Sequence, residues 1–191
     1  MIRRAVAYFI DWMLLATGMN ILVVAVAFGL TGKLYAGLLP LVFFEAPMQI
    51  ILLAVLAAIE LLYYCGVPRY VWEGQTLGKR IMGVQVRRAD GGRASLPTLV
   101  LRDLVCIVLI EGCFSPLSNY VRNALMLVCS SDVIQMTIWA SWALGAISIG
   151  MMLFTKRHRM LHDVLSGTIV VGKRTEAERG ADESPVDGAV E

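Results

Sequence analysis

"LVLRDLVCIVLIEGCF", residues 99–114, decides how many times this chain crosses a membrane. The stretch is apolar enough to enter a bilayer, yet it carries Arg102, Asp103 and Glu111. Read as a crossing it gives four spans; read as a surface helix it gives three.

Its neighbours are plainer. A spanning helix needs about 20 largely apolar residues, and residues 5–30, 48–65 and 133–154 meet or approach that. Thr31-Gly32 closes the first run, while Pro47 and Gly66-Val67-Pro68 bracket the second. The last, "VIQMTIWASWALGAISIGMMLF", holds no charge. With 58% hydrophobic and 17% charged residues, the 191-residue chain carries too little charge for an ordinary soluble domain. The first run is too long for a cleaved signal, whose apolar core is usually ~7–15 residues, and it has an acid inside it. It reads as a retained spanning helix.

Lysine and arginine set the orientation, because cytoplasmic loops carry their excess. Residues 66–98 hold Arg69, Lys79, Arg80, Arg87, Arg88 and Arg93; Arg3 and Arg4 precede the first span; Lys156, Arg157 and Arg159 follow the last. Residues 31–47 have one base, Lys33. The middle linker and both termini therefore read as cytoplasmic. Parity then requires residues 99–114 to cross, leaving residues 115–132 outside. The expected fold is an all-α polytopic membrane protein with four transmembrane helices, built on residues 1–172. Residues 173–191 are polar, acidic and aperiodic, as in a disordered cytoplasmic tail. Two alternating, β-branched stretches, residues 80–88 and 167–173, are expected to pair as a small cytoplasmic ribbon.

The acid in the first span, Asp11 of "RRAVAYFIDWMLLATG" (residues 3–18), needs an explanation. An Asp at a helix centre costs ~2.5–3.5 kcal/mol on insertion scales, so such residues face a bundle interior or water and take a partner. Arg4 is two turns earlier on the same face, about 10 Å away. Depth counting puts Glu60, Arg102 and Asp103 at the level of Asp11, in the cytoplasmic half. That suggests a charge-compensated cluster from three helices. Either the cluster only fixes helix packing, or it forms a cation or proton site. Glu111 falls near the outer end and reads as interfacial.

Other motifs carry less. In "KRHRMLHDVLSGT" (residues 156–168), His158 and His162 are i and i+4 if helical, a weak metal pair without the acid of a zinc-peptidase motif. A basic helix beside anionic lipid explains the patch more simply. "GQTLGKR" (residues 74–80) lacks the glycine spacing and the hydroxyl of a phosphate loop. It reads as an interfacial turn whose bases meet headgroups. Cys65, Cys106, Cys113 and Cys129 have no CxxC spacing and read as packed apolar residues, with a Cys113–Cys129 disulfide left open. No nucleophile–base pair or metal motif points to an enzyme, and no cofactor is expected. The formal charge of +2 says little about partners and suggests no nucleic acid.

Together "RRAVAYFID", "GQTLGKRIMGVQVRRADGG", "LRDL" and "HDVLSGTIVV" resemble the RDD family of bacterial membrane proteins, named for one arginine and two aspartates. The resemblance implies that Arg4 and Asp11 are the first two named residues and that Asp163, or else Asp103, is the third. It also implies a bacterial cytoplasmic membrane and a link to transport, some members being associated with sodium/proton exchange. If Asp163 is the third, its carboxylate is expected to cap the cluster by pairing with Arg4. The leading expectation is a small transport-related protein in the lipid bilayer, homo-oligomeric because four helices leave little room for a pathway, moving a cation or proton past Asp11. The alternative is a non-transporting membrane partner or assembly factor.

Overall fold

The computed structural model describes residues 2–112, 115–155 and 159–172. The mostly helical chain contains three helices long and apolar enough to cross a membrane: Ile2–Thr31, Ala46–Val71 and Ser131–Phe154. The first is α1, of 30 residues, about 45 Å long at 1.5 Å per residue. It buries Ala7, Asp11, Leu15, Met19, Val23 and Ala27, one residue every four, and leaves its other faces apolar and open. That single stripe is the inward face of a helix whose remaining surface is apolar and exposed.

Helix α2 (Ala46–Leu61) starts with Pro47, which costs little in a first turn, where the amide has no helical partner. It continues as a wider π-helical segment, Leu62–Val71, containing Pro68. The short helix α3 (Leu77–Ile81) leads into β1 (Val84–Arg88), which pairs antiparallel with β2 (Thr168–Gly172), Val86 opposite Val170. The expected ribbon is therefore present.

The decisive stretch takes a form the sequence did not suggest. A short helix α4 (Leu96–Leu99), whose first turn is closed by Ser95 accepting from the Thr98 amide, runs on as a π-helix, Val100–Glu111. It stops at Gly112, whose φ is +55°, in the left-handed region that favours glycine. A new helix, α5 (Pro116–Leu125), then begins, packed on α1, α2 and the 3-10 turn Leu41–Phe43. Most of the stretch expected to lie outside, residues 115–132, is helical, and α6 (Ser131–Phe154) follows it.

Hydrogen bonds fix the depth of the interruption. The side chain of Arg122 donates to the Gly112 carbonyl at 3.2 Å and to Ser141 Oγ at 2.8 Å. Ser141 lies 13 residues before the end of the 24-residue α6, near its middle. Residues 96–111 follow β1 in the chain and end beside that middle. Helix α5 continues towards the turn at Leu41–Phe43, at the far end of α1 and α2. The small helix α7 (Leu161–Leu165) folds back onto residues 100–111 and α6. The proposed tail, residues 173–191, lies outside the described residues, as do Cys113 and His158.

Candidate functional site: buried ionisable groups at three places

Asp11 is fully buried, and its partners are neutral rather than arginines. Tyr63 Oη and the Gly78 amide donate to Oδ1, the latter at 2.7 Å, and Thr76 Oγ1 donates to Oδ2. The expected pairing with an arginine at matching height is corrected here. Arg4, two turns below, points elsewhere, and the segment "QTLGK" (residues 75–79) folds against α1 to supply the donors. Gly78 has to be glycine for this, because a Cβ would overlap the Ala7 carbonyl oxygen and press on the Asp11 carboxylate. Of the two bases expected to meet headgroups, Arg80 is exposed and Lys79 is not. Lys79 is buried with its ammonium 5.6 Å from the centre of the Tyr64 ring. Burial pushes that ammonium below its ordinary pKa; Arg102 adds to the effect while Asp103 and Asp11 oppose it.

A second group surrounds Asp163, also fully buried, on α7. Arg4 pairs with its Oδ2, and Arg102 donates to Oδ1 through both Nε and Nη2 at 3.2 Å. Arg102 also reaches Asp103 Oδ1 at 2.6 Å. The Met160 amide donates to Asp163 Oδ2 at 3.2 Å. Burial alone would raise the Asp163 carboxyl, but Arg102, His162 and Arg4 outweigh it and hold the group well below the usual carboxylate range.

Glu111, expected near the outer end, joins this group instead. It is 2% exposed. Its Oε1 accepts from Ser148 Oγ and the His162 amide, each at 3.0 Å, and His162 Nδ1 lies 3.0 Å from the same oxygen. Residues 100–111 stop at Gly112, opposite the middle of α6. Side chains on a helix tilt towards its start, so Glu111 reaches down to Ser148, six residues before the end of α6. His162, offered with His158 as a weak metal pair, is thus occupied with Glu111. Among the described residues no cluster of three metal-ligating side chains occurs.

Glu60 stands apart. It is 2% exposed and sits at the interruption, where Ser115 Oγ donates to its Oε1 at 2.8 Å and the Leu117 amide lies close by. Asp103 is the charged neighbour within electrostatic reach. One oxygen of each, Glu60 Oε2 and Asp103 Oδ2, has no hydrogen-bond partner among the described residues.

These contacts, from Arg4 and Asp11 on α1 through the 75–79 segment and Arg102–Asp103 to His162–Asp163, all fall within one family match. The RDD family profile matches residues 1–167. The chain belongs to the RDD family. No curated protein and no solved structure matches it. RDD proteins are membrane proteins, and this member brings Arg4 onto Asp163 while giving Asp11 a separate task. Tyr63, Thr76, Ser115, Ser148 and His162 escaped the reading of the sequence as partners. The inward stripe Ser141, Gly145, Ser148 on α6 was the one signal that could have marked two of the contacts, since small residues line helix interfaces in membranes.

Proposed function

We propose that this RDD protein is a small transport-related protein of the bacterial cytoplasmic membrane, handling a small cation or proton at its buried acids. Its α1, α2 and α6 cross the bilayer, and residues 96–111 together with α5 make a fourth, interrupted crossing. Both termini and the ribbon lie on the cytoplasmic side, in keeping with the lysine and arginine distribution. A second copy of the chain completes the pathway, and no enzymatic step is involved.

The observation that carries this reading is a buried helical segment, residues 96–111, that breaks off at Gly112 opposite the middle of α6 and beside the buried carboxylate of Glu60. Irregular backbone at membrane depth is tolerated only inside protein or beside water, and broken helices of transporters place their ligand sites there. The break is supported rather than frayed: Ser118 Oγ takes the Val108 carbonyl at 2.7 Å and Arg122 takes that of Gly112. Among the described residues, five buried carboxylates, Asp11, Glu60, Asp103, Glu111 and Asp163, face Arg4, Arg102, Lys79 and the imidazole of His162. An excess of buried negative charge asks for a proton or a cation.

A second reading, a membrane partner that transports nothing, draws support from the full satisfaction of Asp11 and Asp163. Sealed vesicles separate the two. With wild-type protein, a sodium, potassium or proton gradient drives movement of the others above the protein-free rate, and Glu60→Gln abolishes it with folding intact. Absence of flux under every gradient favours the partner reading.

A further inference from the structure

Away from the buried charges, the turn between Leu62–Val71 and the ribbon encloses a cavity. Backbone hydrogen bonds build its floor. The Gly74 amide donates to the Pro68 carbonyl at 2.9 Å, and the Val86 amide donates to the Gly74 carbonyl at 2.7 Å. Gly74 has φ +64°, and a Cβ there would lie 2.3 Å from the Val86 carbonyl oxygen, so a glycine is needed to seat the turn on β1. After β1 the chain turns at Gly91 and returns, which brings Arg93 opposite Arg87. The cavity measures about 200 Å³, and Arg69, Glu73, Arg87 and Arg93 line it.

The charge around it is unbalanced. Three guanidinium groups meet one carboxylate, which leaves two positive charges over. Glu73 is already shared: its Oε1 lies 2.7 Å from Arg93 Nε and 3.5 Å from Arg87 Nη2, and its Oε2 accepts from Arg93 Nη2 at 2.8 Å. Arg87 Nη1 donates to the Gly91 carbonyl at 3.1 Å. Arg69 makes no ion pair among the described residues; its guanidinium lies 6.0 Å from the centre of the Tyr70 ring. Each guanidinium carries five N–H donors in a planar fork, so most of them remain available to an anion with several oxygens. The pairs with Glu73 are solvent-exposed and therefore weak, and an incoming anion competes with them at little cost.

The place in the fold narrows the anion. Pro68, Arg69, Tyr70 and Val71 line the cavity and end the apolar helix Ala46–Val71. Tyr70 and Val71 are themselves exposed, so apolar surface adjoins the arginines. Tetrahedral phosphate oxygens suit the guanidinium fork. We propose that Arg69, Arg87 and Arg93 form a phosphate-binding site, filled by the headgroup of an anionic phospholipid or by a soluble phosphate. Glu73 orients Arg87 and Arg93 and competes with the phosphate for them. The site lies apart from the buried acids, and it does not rest on the proposed transport.

Thermal unfolding of the full-length protein in uncharged detergent tests this, because a ligand of the folded state raises the melting temperature saturably. The probes are phosphatidylglycerol, phosphatidylcholine and inorganic phosphate, at ionic strength held constant with chloride. Phosphatidylglycerol or inorganic phosphate should give a saturable rise, and phosphatidylcholine, whose ammonium the arginines repel, should not. A rise with phosphatidylglycerol alone assigns the site to a headgroup; a rise with inorganic phosphate assigns it to a soluble ligand. Arg69→Gln with Arg93→Gln should raise the half-saturating concentration about twentyfold, at about fivefold for each arginine lost near an anionic group. Arg80→Gln with Arg88→Gln removes the same charge from exposed positions outside the cavity and should leave it unchanged. Glu73→Gln should lower it about fivefold, a tightening that lost structure cannot produce. No saturable rise with either phosphate carrier, an equal loss in both double variants, or no tightening in Glu73→Gln overturns the proposal. Vesicle flux is measured separately, so binding without flux leaves this site standing and removes only the proposed function.

Discussion

Asp11 illustrates how a buried acid in a membrane helix can be settled without a counter-ion. Its carboxylate accepts from a phenol, a hydroxyl and a backbone amide, and two of these belong to the segment between α2 and β1. The residue therefore works as a latch for that segment. Asp11→Ala orphans three donors and is expected to cost about 3 kcal/mol, and Asp11→Asn about 1–2 kcal/mol, since each unpaired buried donor costs ~1–3 kcal/mol. Thermal unfolding in detergent measures both, and limited proteolysis should find residues 72–83 newly cleavable. Gly78→Ala should release the same segment by collision with Ala7 and Asp11, while Gly18→Ala, with open space around it, should lose nothing. Asp163 adds a pH dependence. Its folded pKa is depressed, so its contribution to stability is present above the unfolded value and is lost as pH falls below about 4. Melting temperature should drop through that acid range, and Asp163→Asn should flatten the slope. The sequence revealed that these acids are special, since charges in apolar runs are conspicuous. It hid their partners, because Thr76, Gly78 and Ser148 are ordinary residues whose role arises from tertiary approach.

Among the elements, α1, α2, α6 and the ribbon were legible: long apolar runs and alternating β-branched residues leave few alternatives. Residues 99–114 were half legible. Charge parity gave a crossing, but a helix of constant rise was assumed where the chain is π-helical and halts at Gly112. "EGCFSP" held the clue, a glycine followed closely by a proline that starts a new helix. Gly112→Ala should cost about 1–3 kcal/mol, since it forces a side chain into left-handed backbone and against Ser141 Oγ and Arg122. The contact between α1 and α7 is testable separately. A double-mutant cycle on Arg4→Ala and Asp163→Ala, read by thermal unfolding, should give a coupling of ~1–3 kcal/mol, as for residues sharing an ion-pair network. Purely additive losses would remove the pair.

At the scale of the whole molecule, the buried charges divide into a latch at Asp11, an ion-pair cap around Asp163 and a remainder at Glu60, which the break at Gly112 sets apart. All of it depends on residues 96–125 passing from one face of the membrane to the other. Thiol labelling in intact cells, with Gly91→Cys or Val128→Cys placed singly in a cysteine-free chain, tests that most directly, since both positions are exposed. A membrane-impermeant maleimide should block Val128→Cys from outside and reach Gly91→Cys only after the membrane is opened. Labelling of both positions from the same face would mean that residues 96–125 do not cross, and the proposed function would lose the observation that carries it.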